Sequence, residues 1–456
     1  LTLTNPDSSA VKIESGKRLD VELVGTNALA DAANGTHKGC LYLNGHSEWT
    51  GSGTLTLAGN TNHAIFADEY LRLANTFTGT ITVTDAVSDG LHVNQYYKQQ
   101  GGTVNVTSQG DGIDVGITGK TKTSDGQFLF EGGTLAVTTS GITTKAIKCD
   151  SLMLISGGTI TLKATGTGGK CIKCDNVLTV SDDAVISATA TGSSNSTYGS
   201  AKAIKAGVKT QTGGNGRNAT YSYSGGIVIK GGTITASASS HEAIESKNTI
   251  DISGGIVYAY SSDDAINSAS DFTITGGFVM GNSTGNDGLD ANGDFYLKGG
   301  TVFAVATTSP EVGIDANTEE QKKLYITGGT IFAIGDLESG ASISGGTCMQ
   351  ASSWSASTWY ALYNGSTLVG AFKTPASSGN GQNFAPGGPG GGGGPGGGGS
   401  QKLIVYTSAT PALKSGATIS GGTEYFGGMA NFGCTVSGGS NVNLTSYSSS
   451  GGGGWW

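Results

Sequence analysis

Seven carboxylates recur in this chain at spacings that could gather a hard cation. They are Glu242, Glu245, Asp263, Asp264, Asp287, Asp290 and Asp315, set in the motifs Glu242-Ala-Ile-Glu-Ser, Asp263-Asp-Ala-Ile-Asn, Asp287-Gly-Leu-Asp-Ala and Val312-Gly-Ile-Asp-Ala. Calcium takes about six to eight oxygens at roughly 2.3–2.6 Å, supplied by carboxylates, Asn side chains and backbone carbonyls. Asn267, Asn292 and Asn317 lie close enough in sequence to help. Six lysines fill the same motif positions further upstream: Lys145, Lys148, Lys170, Lys173, Lys202 and Lys205. The sign change is sharp. Residues 241–320 hold thirteen acidic residues against Lys247 and Lys298, whereas residues 140–210 hold eight lysines against four aspartates.

Such segregation matters only if the backbone stacks equivalent positions, and the repeat says that it does. A Gly-Gly-Thr-like strand start returns at Thr103, Thr134, Thr159, Thr233, Thr301 and Thr330, with looser versions between them. The charged motifs run in phase with it, from Asp89-Gly-Leu-His-Val and Asp111-Gly-Ile-Asp-Val onward. Two phased strand signals with a period in the twenties predict a β-solenoid whose coils bury their apolar faces only by stacking. The motif then places Ile113, Ile147, Ile172, Ile204, Ile244, Ile266, Leu289 and Ile314 in one internal column, with His92, Asp114, Lys148, Lys173, Lys205, Glu245, Asn267, Asp290 and Asp315 outside it. Strands in such a stack lie roughly 4.8 Å apart, so about a dozen coils span on the order of 60 Å. Like charges stacked at that spacing repel, and a column that keeps them calls for something to neutralise it.

For the acidic block the natural neutraliser is Ca²⁺, set against an ordinary solvated acidic face. No EF-hand loop and no Gly-rich calcium nonapeptide run occurs. For the lysines three readings stay open: a polyanionic chain such as a polyuronate, an acidic ladder on a neighbouring molecule, or a solvated strip. Tyr96, Tyr97, Tyr258, Tyr260, Trp354, Trp359, Trp455 and Trp456 could stack on sugar rings, although each has a simpler use in packing or capping.

Composition agrees with an extended all-β chain. Glycine accounts for 79 of 456 residues, only 13% are charged, and no stretch keeps a helical apolar period. A net charge of −9 argues against nucleic acid as a partner. No apolar run is long enough to span a membrane. The start at Leu1 reads as a trimmed, mature one, so localisation has to be inferred indirectly. Cys171 and Cys174 form a C-x-x-C, but strand residues three apart are expected to face opposite sides, and Cys149 and Cys174 should stack inside the coil as small apolar residues.

The expected organisation is an N-terminal cap over 1–52, the solenoid over 53–346, an aromatic-rich β extension over 347–385, a Gly/Pro run over 386–400 and a C-terminal β segment over 401–456. A polar insertion, Gly207-Val-Lys-Thr-Gln-Thr-Gly-Gly-Asn-Gly-Arg-Asn, leaves one coil corner, and such loops often line a binding face. The Gly/Pro run is a linker by composition, or is held extended against another surface.

The stretch His241-Glu-Ala-Ile-Glu-Ser-Lys, Asp263-Asp-Ala-Ile-Asn, Asn286-Asp-Gly-Leu-Asp-Ala-Asn-Gly and Pro310-Glu-Val-Gly-Ile-Asp-Ala-Asn resembles a bacterial family of secreted carbohydrate-binding β-helix proteins. The likeness runs over roughly residues 85–346 and is densest between 241 and 317. It implies a right-handed parallel β-helix, similar in architecture to polysaccharide lyases, that binds Ca²⁺ and plant cell-wall polysaccharides such as cellulose or pectic chains. The family's calcium role falls on the carboxylates named above. The resulting expectation is a non-catalytic, calcium-dependent polysaccharide binder, secreted or on the cell surface. Two alternatives accompany it. One is a fibre or surface-layer subunit that associates end to end through exposed sheet edges. The other is a pectate-lyase-like β-eliminase using Lys247 or Lys205 as base, weakened because none of Arg18, Arg72 and Arg217 lies in the acidic block to stabilise an enolate.

Overall fold

The computed structural model describes residues 2–5, 8–14, 17–117, 125–308, 310–376 and 402–448. It is an all-β solenoid of about twelve turns built from parallel sheets. Two compact units are distinguished, one of residues 1–240 with 245–248 and one of residues 241–244 with 249–456. The Gly/Pro run 386–400, Leu1, Trp455 and Trp456 lie outside the described residues.

In the first unit each coil contributes one strand to each of three parallel sheets. The first sheet runs from Thr2–Asn5 to Thr233–Ala238, the second from Val11–Ile13 to Lys202–Ala206, and the third from Leu19–Leu23 to Gly226–Ile229. Strands therefore stack in the same sheets from the N-terminal segment onward. The internal column is as the motif requires. Leu91, Ile113, Ile147, Ile172 and Ile204 are register partners in turn, and all are buried. The insertion after Ala206 is a β-hairpin, Val208–Gly213 against Thr220–Ser224, with Lys209 opposite Tyr223 and Gln211 opposite Tyr221. Cys149 and Cys174 are inward register partners. Cys171 is buried as well, because Lys170–Cys174 starts at a corner where the simple alternation of faces fails.

The second unit continues the pattern with Ile256–Ser261, Phe278–Ser283, Thr301–Ala306 and Thr330–Ile334 in parallel. The paired glycines before these strands have a steric reason. At Gly277 φ is +84°, and a Cβ there would lie 2.8 Å from the Gly255 carbonyl oxygen. The column of Ile266, Leu289 and Ile314 extends to Leu337. The parallel order then ends. Leu403–Thr407 inserts antiparallel between Thr330–Ile334 and Thr347–Ala351, so the last coil's edge is covered by the chain's own C-terminal segment. Trp359–Asn364, Thr367–Lys373, Pro411–Ser420 and shorter strands make a six-stranded antiparallel sheet. Its Phe372 stacks on Phe332, with ring centroids 4.8 Å apart, in a core with Phe303, Tyr360, Leu403 and Val405. Tyr258 belongs to this core, so it is packing rather than a sugar platform.

Candidate functional site

Two columns of carboxyl groups converge in the second unit. One stands at the coil corner, with Asp264 and Asp287 in successive coils. The other is the outward position beside the internal column: Asn267, register partner of Asp290, then Asp315, then Glu338. The corner aspartates first serve the fold. Asp264 Oδ1 accepts the Asp287 backbone N–H at 3.1 Å, and Asp287 Oδ1 accepts that of Val312 at 2.6 Å. The first unit repeats the device, with Asp89 accepting from Asp111 at 2.9 Å and Asp111 from Lys145 at 2.7 Å. One oxygen of each corner carboxylate thus ties its coil to the next.

The other oxygens crowd together. Asn267 Nδ2 donates to Asp264 Oδ2 at 3.1 Å and also to Asp290 Oδ2. The Asp290 carboxyl meets those of Asp264 and Asp315, and Asp315 meets Glu338. Burial raises Asp264, Asp290 and Asp315 above the usual carboxylate range; neighbouring carboxylates add to this at Asp264 and Asp315, whereas hydrogen bonds from Asp315, Asn267 and Asp264 restrain Asp290. Burial raises Asp287 to about 7, with Asp290, Glu311 and Glu338 adding to the effect. Burial and crowding of this kind disfavour full ionisation, and a bound cation would favour it. The donors here are oxygens, the kind a hard divalent ion takes; the sets of three such ligand atoms within 4.8 Å of one another, among the described residues, are His63, Asp89 and His92, and His241, Glu242 and Asp263.

Glu242 and Asp263 form a separate group around His241. His241 Nδ1 lies 2.9 Å from Asp263 Oδ2 and also contacts the Glu242 carboxylate. His241, followed by Asn286, holds the Asp263 carboxyl below its ordinary range. Glu245, expected among the metal ligands, is the counter-ion of the lysines. It is 1% exposed, with Lys202 Nζ 2.7 Å from Oε1, Lys205 Nζ 3.2 Å from Oε2, and Lys247 also in contact. Burial alone would raise its carboxyl, yet the three ammoniums hold it down at about 2.

The lysine columns stand as the motif places them. Lys145, Lys170 and Lys202 are successive register partners, as are Lys148, Lys173 and Lys205. Most have an acidic partner: Lys148 lies 2.8 Å from Asp114, Lys173 meets Asp175, and Lys202 and Lys205 share Glu245. Lys170 is held by carbonyls instead. Burial, and then Lys205, Lys145 and Lys202, bring Lys170 down to about 8, and its Nζ donates to the carbonyls of Gly168 and Ser200. Burial and neighbouring lysines also lower Lys173. An added anion would relieve this repulsion.

Aromatic residues form ladders that sequence reasoning missed. Tyr42, Phe66 and His92 stack along the outer face of the second sheet, and His46, Tyr70 and Tyr96 along a neighbouring corner at 4.5 Å per step. Their faces cover one another, so the inner rings offer edges to a ligand. Tyr97 is fully buried. Tyr221 and Tyr223, on one face of the hairpin, are 43% and 40% exposed, with Lys209 Nζ 4.1 Å and 5.5 Å from their ring centres. The alternation Thr220-Tyr-Ser-Tyr-Ser was the signal for this pair.

Among the described residues no helix is long and apolar enough to cross a membrane. None of the curated proteins or solved structures compared with the chain matches it. A family model described as carbohydrate-binding domain-containing protein matches residues 1–288, which takes in the lysine columns, both aromatic ladders and the hairpin and ends just before Asp290. That match covers well over half of the chain, which therefore belongs to this family of carbohydrate-binding domain-containing proteins.

Proposed function

We propose that the protein is a non-catalytic, calcium-dependent binder of acidic polysaccharide that works outside the cell or on its surface. The observation that carries this reading is the buried carboxyl column. Burial raises Asp264, Asp287, Asp290 and Asp315, nearby carboxylates add to this at Asp264, Asp287 and Asp315, and a cation is the simplest way to ionise them together. Ca²⁺ suits them, since all their donors are oxygens and Asn267 stands among them. Glu338 extends the column.

The lysine columns would take the polymer's carboxylates. A polyuronate repeats its charge along the chain, and Lys170 and Lys173 repeat theirs from coil to coil, at roughly 4.8 Å per step. A neutral cellulose-like chain would depend instead on the tyrosines of the hairpin. The β-eliminase alternative is weakened by Glu245, because both candidate bases, Lys205 and Lys247, have it as counter-ion. End-to-end assembly is weakened at the C-terminal edge, where Leu403–Thr407 already pairs.

Calcium titration calorimetry on the whole chain tests the proposal, followed by binding to soluble polygalacturonate with and without EDTA. Tight calcium binding with polymer binding lost in EDTA supports it. Polymer binding indifferent to EDTA would sink the calcium link, and no binding of either would move self-assembly to the front.

A further inference from the structure

A second cluster of metal-ligating side chains lies in the first unit and uses nitrogen as well as oxygen. His63 opens the strand His63–Ala67, and His92 is the middle of Leu91–Val93, one coil on. The strands pair with Leu91 opposite Ile65 and His92 opposite Phe66. The His92 ring stacks on Phe66 at 5.1 Å and 7°, which fixes its plane. Asp89 stands at the corner between them. Its Oδ1 accepts the Asp111 N–H, as the corner aspartates do throughout. Its Oδ2 is left facing both imidazoles, 3.2 Å from His63 Nδ1 and 3.0 Å from His92 Nδ1.

The protons on these rings can be placed. Asn94 Nδ2 donates to Asp68 Oδ1 at 3.0 Å, which pins the amide and turns Asn94 Oδ1 toward His92 Nε2 at 3.1 Å. In the neutral ring Nε2 therefore carries the hydrogen and Nδ1 is bare. That nitrogen lone pair points at two carboxylates, Asp89 and Asp114, the latter at 3.5 Å. His63 Nδ1 is an acceptor too, since the Asp89 backbone N–H lies 3.2 Å from it. His63 Nδ1, His92 Nδ1 and Asp89 Oδ2 thus lie within 4.8 Å of one another, and a metal there would displace the Asp89 N–H from His63. Either extra protons or one cation must sit among them.

The geometry favours a cation of a particular kind. Tetrahedral bonds of roughly 2.0–2.1 Å place ligand atoms roughly 3.3 Å apart, and the separations here are 3.0 and 3.2 Å. A hydrogen bond from the outer nitrogen of a ligating imidazole is the usual support of such a ligand, and Asn94 supplies it. Imidazole suits zinc and its first-row neighbours rather than calcium. We propose that His63 Nδ1, Asp89 Oδ2 and His92 Nδ1 bind one divalent ion of the zinc class, clipping two successive coils, independently of the calcium site. Asp114 is engaged by Lys148 at 2.8 Å, so the fourth position falls to water.

The test is zinc titration calorimetry on the full chain carrying His241→Gln, which breaks the cluster that His241 makes with Glu242 and Asp263. One zinc ion per chain is expected. Loss of a mere supporting partner costs a metal site about 10–100-fold, so His63→Gln and His92→Phe should each weaken binding by at least about 100-fold. His92→Phe keeps a ring on Phe66, and circular dichroism checks that the fold is intact. Cobalt substitution should give the strong visible bands of a four-coordinate ion, lost in both variants. Asp264→Asn with Asp290→Asn should leave the zinc isotherm unchanged. Absence of zinc binding in the parent, or the same isotherm in folded His63→Gln and His92→Phe variants, would overturn the proposal.

Discussion

Lys202 Nζ lies 2.7 Å from Glu245 Oε1, with the two side chains only 4% and 1% exposed. Glu245 is the shared counter-ion of Lys202, Lys205 and Lys247. Removing one partner of a buried pair leaves an uncompensated charge, at a cost of about 3–5 kcal/mol. Glu245→Ala should lose that much in urea unfolding.

The same residue sets an acid limit. The Glu245 carboxyl, ordinarily near 4.5, is held at about 2 in the fold. A lowered folded value gives stability that is fully present above the unfolded value and is lost as pH falls through the folded one. Stability should therefore decline between about 4.5 and about 2, and Glu245→Ala should flatten that decline. An unchanged acid profile in the variant would show that other carboxylates carry it.

Asp264, Asp287, Asp290 and Asp315 act with the opposite sign. Their folded values are raised, so the folded chain holds their protons more tightly than the unfolded one. In EDTA, stability should fall as pH climbs from 3.8 toward about 7, the ordinary and folded values for Asp287. Calcium at about 100 times its Kd adds roughly 2.7 kcal/mol if it binds only the folded state. The calcium shift in melting temperature should be large at neutral pH and vanish near pH 3.8, where even ordinary aspartates are half protonated. Asp290→Asn with Asp315→Asn should melt higher than the parent in EDTA and no longer respond to calcium.

What the motif could and could not foretell follows from its period. The Ile and Lys columns were legible because stacking repeats the same two positions in every coil, and register pairs such as Ile147 with Ile172 follow directly. Glu338 was missed because its coil reads Gly335-Asp-Leu-Glu, one residue longer than Gly313-Ile-Asp. The role of the corner aspartates was hidden because a backbone acceptor and a metal ligand call for the same residue type. The antiparallel entry of Leu403–Thr407 joins segments some 70 residues apart in sequence and carries no periodic signal. Glu245 follows Lys205 in the outward column, so its pairing was open to view, but its acidic neighbours in sequence drew it into the wrong group.

The hairpin tyrosines give a test for sugar contact that leaves the fold alone. Tyr221 and Tyr223 are exposed on a two-stranded arm, and their loss removes no solenoid core. Tyr221→Ala with Tyr223→Ala should keep the parent melting temperature. If the arm stacks on sugar, retention in polysaccharide affinity gels should weaken by about 1 kcal/mol, roughly fivefold, per ring. Unchanged mobility on every polymer tried would remove the arm from the binding surface.

The lysine columns separate an acidic ligand from a neutral one. Lys170 and Lys173 are both lowered by burial and by neighbouring ammoniums. Their charges cost the free protein something that an anion would return. Replacing both with Gln relieves this repulsion but gives up the Lys173–Asp175 pair and the Lys170 bonds to the Gly168 and Ser200 carbonyls, so the melting temperature should change little. A bound polyuronate loses about 0.5–1 kcal/mol per ammonium, so polygalacturonate affinity should fall roughly tenfold. The parent's affinity should also weaken with salt, because partly exposed ion pairs are screened within about 10 Å at 0.1 M. A neutral glucan would show neither effect. Equal loss of both polymers would mean that the substitutions damaged a shared surface, and no loss of either would return these lysines to the role of a solvated strip.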